Sequence, residues 1–507
     1  MNKFTTKLKE AAKGRSLPSV TMTAAVIAMV IMLNVIIYAL TTQFSLYLYS
    51  PKTDDLSLTG ASDELFADAT QKGKKISIKF CMAEDDVSVH KTGAYVYETA
   101  KALMEKHPEL IELEFINIIT KQDSEGNYVD MSKYQKDMLG NDTLVKKSSV
   151  IFESGSNYRV ITDIFSTDGF SDFYTYDNSG NITSFNGEEF ITAMSAWVLN
   201  DEHKMAYFTI GHSEVSSSSL TLLFACSGYY INTINLRAGE IPEDAGVIVI
   251  SNPKHDFEQA AAGSGVRTEI ERLTDYVEKG GDIYVSLDPY ASKLNVFEGF
   301  LERYGIKTAY STTEGGFTVR SLVRDTDNSI TTDGYSIISR FSDTAEAQSV
   351  KARVDKYANG GIVIRDVAAL ELSGNAKPLL VSSSSAVLEA GGKVVDSEGG
   401  YAIAAYVNVE NEGASDASIV VVPSVYLTAT DAIITKGYAN KDFVYSFIDE
   451  FFGQDMLPYG CNEVYYNNQM LEGLTMGTAR TIFICLMVIP VLIACAGTVI
   501  IIKRKNR

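Results

Sequence analysis

Cysteine is scarce. Five residues in 507 are too few for a disulfide-dense scaffold. Ten prolines and 37 glycines exclude a collagen-like or proline-rich fibre. Basic residues are in deficit, with 44 Lys and Arg against 64 Asp and Glu, a net charge of −20. Nucleic-acid backbones need a basic surface, so no nucleic-acid partner is expected. Nucleotide and metal motifs are also missing. The nearest approach to a phosphate-binding loop, Gly391-Gly392-Lys393-Val394, lacks the hydroxyl that binds magnesium. Gly263-Ser264-Gly265 does not directly follow a strand and reads as a turn. There is no His-Glu-x-x-His and no Cys/His pair at zinc spacing, so neither a cofactor nor a metal is expected. What remains is 46% hydrophobic and 21% charged, a composition too apolar for disorder. The length suggests about three domains.

Charge is absent altogether from two stretches. Ser16–Pro51 contains no Asp, Glu, Lys or Arg, and within it Val20–Leu40 is an apolar run. Thr481–Ile502 is likewise uncharged. At ~1.5 Å per residue each covers about 30 Å of hydrocarbon, so residues 20–40 and 481–502 are predicted to be transmembrane helices. A cleaved signal peptide is the alternative for the first, but its apolar run is long and no Ala-x-Ala site follows. The tails 1–19 and 503–507 are basic, carrying Lys3, Lys7, Lys9, Lys13 and Arg15 at one end and Lys503, Arg504, Lys505 and Arg507 at the other. Basic tails stay in the cytoplasm, which places both termini inside the plasma membrane and residues 41–480 outside. The outer part is then strongly acidic and stands off an anionic lipid surface. Cys485 and Cys495 fall in the second span. Of the outer cysteines, Cys81, Cys226 and Cys461, a pair could form a disulfide, though nothing indicates one.

The outer part reads as α/β. Residues 41–74 form a polar tether. Residues 75–200 show strand (Lys75–Phe80), helix (Gly93–Lys106), strand (Leu110–Ile119) and a hairpin about Ser154–Asn157, a thioredoxin-like order. Cys81 ends the first strand without a Cys-x-x-Cys partner, so this domain is expected to be redox-inert. Residues 201–452 alternate strand and helix, as a parallel, doubly wound sheet does. Gly246–Ser251 (GVIVIS) is a continuous apolar strand, Arg267–Glu278 an amphipathic helix ended by Gly280-Gly281, and residues 308–375, which break the rhythm with Gly, Thr, Ser and Asp, an insertion. Lys441–Phe452 closes the domain, and residues 453–480 form a stalk back to the membrane.

One segment suggests a site. Gly211-His212-Ser213-Glu214 lies where the first strand of the doubly wound sheet meets its helix, and strand carboxyl ends are where such sheets bind ligands. His255 and Asp288 follow the next two strands. Four readings compete. A hydrolase would use Ser213 as nucleophile, His255 as base and Asp288 to orient it, although Val215 stands where the elbow pattern needs glycine. A metal could draw on His212, Glu214, His255 and Asp288. The residues could instead cap helices and close turns, or line a binding groove without chemistry. In the spans, Asn34, Ala494, Gly497 and Thr498 are candidate packing residues against neighbouring helices.

The chain resembles the Gldg family, auxiliary proteins of ABC-type transport systems first associated with gliding motility. The resemblance runs through Leu56-Ser57-Leu58-Thr59 and the strand to Phe80. It continues through Tyr207–Glu214, with Ser213 in place of the usual glycine, and through Asn252-Pro253, Gly280-Gly281 and Leu287-Asp288-Pro289. Ile419–Pro423, the Asn-led helix Asn440–Phe452, and Pro490 and Gly497 complete it. Val422-Pro423-Ser424 replaces the family's Gly-Asp-Ser, and Cys226 is not placed as an amidotransferase nucleophile. The resemblance implies a thioredoxin-like domain followed by a flavodoxin-like, amidotransferase-like domain, flanked by two transmembrane helices. It further implies a non-enzymatic, extracytoplasmic auxiliary subunit whose partners are an ABC ATPase and a polytopic permease on separate chains. A surface hydrolase using the Gly211–Glu214 edge, and a stand-alone sensor or adhesion module, are the alternatives.

Overall fold

The computed structural model describes residues 56–465 apart from short stretches, of which 166–172 and 259–266 are the longest. Both expected spans, the terminal tails, and with them Asn34, Ala494, Gly497 and Thr498, lie outside the described residues. Among the described residues no helix is long and apolar enough to cross a membrane.

The described residues are α/β throughout. Its first sheet holds β1 (Ile76–Phe80), β2 (Ile111–Phe115), β3 (Val150–Ser154) and β4 (Asn157–Ile161), in the order β2-β1-β3-β4. β1 and β2 run parallel, and the hairpin β3-β4 joins β1 antiparallel. Alternation along β1 sends Ile76, Ile78 and Phe80 into the main core. On the opposite face of the sheet Cys81 packs with Ile116, Met131, Tyr134 and Ile151. The helices Gly93–Lys106 and Gly187–Leu199 cover the main-core side. Between them β5 (Tyr174–Tyr176) and β6 (Ile182–Phe185) form a small antiparallel pair.

The larger sheet starts with β7 (Met205–Thr209), β8 (Tyr230–Ile234), β9 (Ala245–Ser251) and β10 (Asp282–Ser286). These strands and Ala417–Val422 are all parallel, in the order β8-β7-β9-β10-(417–422), and Ala402–Val409 continues the sheet antiparallel. The run GVIVIS is apolar on both faces because both are covered. Val247 and Val249 meet the helices Ser218–Cys226 and Asn440–Phe452, while Ile248 and Ile250 meet Glu269–Glu278 and Asn295–Arg303. Each of these four side chains is fully buried, which stabilises the fold by ~1.5–3 kcal/mol apiece. Helix Glu269–Glu278 begins in a capping box between Thr268 and Glu271. It stops at Gly280, whose φ is +89° and where a Cβ would lie 2.6 Å from the Ser415 carbonyl oxygen.

The structure departs from sequence expectation in three places. Within the tether, Ala61–Gln71 is a helix with Phe66 fully buried against the core. Within the stalk, Leu457, Tyr459 and Cys461 are buried and Val464–Tyr465 pairs with β6. The insertion is structured. It contains short antiparallel strands and the helix Ala345–Tyr357, capped by Thr344, which buries Ala347, Val350 and Val354. Cys81, Cys226 and Cys461 are all buried, and no disulfide joins them.

Candidate functional site

The residues singled out in the sequence do gather at one end of the larger sheet, but they are joined differently from any catalytic scheme. β7 ends at Thr209, and Gly211 then takes a φ of +121° to turn the chain across the strand ends. His212 is carried inward and is fully buried, its ring stacked on Phe257 with centroids 4.1 Å apart. Its Nδ1 lies 3.2 Å from Glu214 Oε1, and its Nε2 lies 3.1 and 3.2 Å from the two oxygens of Glu269. The His212 backbone N–H also donates to Glu214 Oε2 at 2.7 Å. Burial opposes the imidazolium, but the hydrogen bonds and charges of Glu214 and Glu269 outweigh it and push the His212 pKa up to about 9. The same contact holds both carboxyls below their ordinary range in spite of the burial that opposes it.

Ser213 is exposed and sits at a φ of +55°, a left-handed position that few residues other than glycine adopt freely. Glycine, which the resemblance leads one to expect here, would carry less strain. The loop that follows is stitched to the end of β9. Val215 N–H donates to Ser251 O, and its own carbonyl accepts from Ser251 Oγ and Asn252 Nδ2, each at 3.0 Å. Ser217 then caps the next helix by accepting from Leu220 N–H at 3.0 Å. After β9, Lys254 and His255 donate their backbone N–H groups to His212 O, at 2.8 and 3.0 Å, while the His255 side chain is exposed. After β10, Asp288 forms an ion pair with Lys254 and accepts from Tyr290 N–H at 2.9 Å. Burial raises the Asp288 carboxyl, but the Lys254 hydrogen bond wins and lowers it.

The chemistry open to this arrangement is narrow. A protonated imidazole bonded through both nitrogens has no lone pair with which to act as a base. Among the described residues no hydrogen bond joins Ser213 to His255, or His255 to Asp288. Nor do the described residues contain a group of three or more His, Cys, Asp or Glu side chains placed to hold a metal ion. What the contacts do is tie strand exits together. His212–Glu269 joins β7 to the start of helix Glu269–Glu278, and Lys254–Asp288 joins β9 to β10. Glu269, Phe257 and Lys254 escaped the sequence reading because nothing in their spacing links them to His212. The outward surface of this edge exposes Ile210, Val215, Tyr290 and Val425.

No family model matches the chain, and no curated protein matches it. Several solved structures align with about half of it. The IFT52 N-terminal domain is 16% identical with a TM-score of 0.36, over 50% of this chain and 98% of that one. A ThuA-like protein from Bacteroides uniformis is 13% identical with a TM-score of 0.29, over 48% and 89%. PurLQS from Thermotoga maritima is 10% identical with a TM-score of 0.25, over 48% and 98%. At these scores the likenesses carry no argument about function.

Proposed function

We propose that the chain is a non-enzymatic, extracytoplasmic auxiliary subunit of an ABC-type transport complex, of the Gldg kind. Two membrane helices anchor it in the plasma membrane with both termini in the cytoplasm, and a separate ATPase and polytopic permease are its partners. The observation that carries the reading is where the chain enters and leaves the body. Thr59 near the entry and Glu463 near the exit line one small cleft, together with Lys441 and Cys461. Both are pinned to the same corner. Thr59 donates from N–H and Oγ1 to Glu188 Oε1 at 2.7 and 2.9 Å, and Ser184 bonds Glu463. Residues 41–58 on one side and 464–480 on the other, eighteen and seventeen in number, then separate this corner from the expected spans. At ~3.3 Å per residue either length reaches at most ~60 Å, so both anchors can serve a single docking face.

On this reading the first sheet is a thioredoxin-like domain without dithiol chemistry. Burial pushes the Cys81 thiol up to about 12, so it has almost no thiolate at neutral pH. The larger sheet is the flavodoxin-like, amidotransferase-like domain. Its strand edge docks a partner through Ile210, Val215 and Val425, because the ionisable groups beneath are already bound to one another.

Extraction in several mild detergents tests the proposal. The chain is expected to co-purify with a permease and an ATPase, to lose them when both spans are replaced by unrelated apolar helices, and to bind no ATP alone. On intact cells a membrane-impermeant thiol reagent is expected to label Ser216→Cys but not Lys9→Cys. Recovery of the chain alone in every detergent, or labelling at position 9, overturns the proposal. The first outcome favours a stand-alone sensor or adhesion module.

A further inference from the structure

The cleft beside the strand edge has properties that the docking role does not use. It has a volume of about 550 Å³ and lies between the turn after β10 and the inserted strands, with Tyr290, Lys293, Tyr310, Phe317, Arg320 and Gly391 on its walls. The carboxyl end of a parallel sheet and a junction between substructures are both preferred ligand positions, and the volume falls in the range of small-molecule sites. Two large aromatic side chains stand at its mouth in water. Tyr290 is 67% exposed and Phe317 73%. Neither is loose. Tyr290 Oη donates to Asp366 Oδ1 at 3.0 Å, and Phe317 sits on a hairpin tip closed by Thr313 N–H to Phe317 O at 2.8 Å.

The cleft also carries an unpaired cation, in a chain of net charge −20. Lys293 holds its ammonium 4.9 Å from the centre of the Tyr310 ring, and among the described residues no carboxylate pairs with it. Arg320 is buried in the wall. It donates to the Asp288 and Ala291 carbonyls and to Glu298, and its Nε has no acceptor. The glycine pair that resembled a fragment of a phosphate loop contributes to the wall. Gly391 and Gly392 have φ of +58° and +77°, and a Cβ on Gly391 would lie 2.8 Å from the Thr313 methyl group. Both are left-handed positions where a side chain would be strained.

We propose that this cleft binds an acidic saccharide, whose sugar faces stack on Tyr290 and Phe317 and whose carboxylate pairs with Lys293. A sugar ring has apolar C–H faces and hydroxylated edges. It therefore gains from an aromatic platform that remains open to water, whereas a purely apolar ligand needs enclosure. Ser292, Thr318 and the glycine pair also line the cleft and are the hydrogen-bonding residues nearest the ring edges. The unpaired ammonium selects an anion, and Glu389 does not compete because Arg324 and Tyr335 hold it. The inference is independent of the transport reading.

Titration calorimetry on the full chain in detergent tests it with three probes: a galacturonate tetrasaccharide, a hyaluronan tetrasaccharide and neutral maltotetraose. Both acidic probes are expected to bind, at least tenfold more tightly than the neutral one. Tyr290→Ala and Phe317→Ala are each expected to weaken acidic binding at least tenfold. Lys293→Gln is expected to abolish the preference for acid over neutral. All three side chains are exposed, so an unchanged unfolding midpoint accompanies each loss. Failure of all three probes to bind at millimolar concentration, equal binding of maltotetraose, or binding indifferent to Tyr290→Ala and Phe317→Ala overturns the proposal.

Discussion

His212 gives a pH dependence whose sign and size follow from its surroundings. Its pKa is 6.5 ordinarily and about 9 in the fold, where burial disfavours the charge and Glu214 and Glu269 more than compensate. A pKa raised on folding means that the proton-linked stability is complete below about 6.5 and is lost as pH climbs through about 9. The gap corresponds to about 3 kcal/mol at ~1.4 kcal/mol per tenfold change. In His212→Gln the two carboxylates face each other without the cation, and the stack on Phe257 is lost. Urea unfolding followed by circular dichroism is expected to show the variant about 4 kcal/mol less stable at pH 6, ~3 kcal/mol from the proton and ~1 kcal/mol from ring packing. At pH 10 the wild type has lost its own proton, and the difference should shrink to the ~1 kcal/mol of ring packing. A difference that is equal at both pH values, or that grows with pH, refutes the charged sandwich.

Two further substitutions probe neighbouring parts of the same end. Arg320 and Glu298 form a buried pair 2.8 Å apart, so Arg320→Met, which strands the carboxylate, is expected to cost ~3–5 kcal/mol in the same unfolding assay. A change below 1 kcal/mol would show that Glu298 is neutralised some other way. At Ser213, with its φ of +55°, Ser213→Gly is expected to change stability little, whereas Ser213→Val, β-branched in a left-handed position, is expected to lose ~1–2 kcal/mol. Ser213→Ala should leave abundance and partner association intact. Loss of cellular function at normal abundance would instead support a hydrolase.

The sequence foretold most clearly what periodicity and composition control. GVIVIS announced a strand covered on both faces, and Ile270, Leu273 and Val277 announced the face that their helix buries. The helix Ala345–Tyr357 was missed because it buries only Ala347, Val350 and Val354 among ten otherwise polar or exposed positions, too thin a stripe to stand out. The helix around Phe66 was hidden likewise, with small and acidic residues around its one large buried side chain. At the strand edge, the chain order correctly placed His212, Ser213, Glu214, His255 and Asp288 at the ends of neighbouring strands. It could not say which side chains turn inward. His212 turns in because Gly211 redirects the backbone and Phe257 offers a ring face, and its second carboxylate comes from Glu269, 57 positions along the chain. That long-range pairing makes His212 a fixed cation rather than a free metal ligand, and no local pattern encodes it.

The same kind of long-range pairing binds the two sheets into one body, which constrains how the proposed subunit could act. A single cluster of buried side chains runs from Phe66 and Phe80 in the first part through Trp197 and Phe224 to Phe447 and Tyr459 in the second. Across it Glu189, on the helix that follows β6, takes both Lys441 at 2.8 Å and the Tyr445 hydroxyl from helix Asn440–Phe452. Separating the parts would expose the apolar surface that this shared cluster buries and break the Glu189 contacts. A free hinge between the sheets is therefore disfavoured. The corner where the chain enters and leaves adjoins this junction, since Lys441 also lines the cleft shared by Thr59 and Glu463. In the transport reading, a pull on the chain at Thr59 or Glu463 bears on helix Asn440–Phe452, and through its packing on the central strands whose ends carry the exposed edge. In the transport reading, the subunit passes on a change in the membrane partner by moving as one piece, with the strand edge as its outer contact.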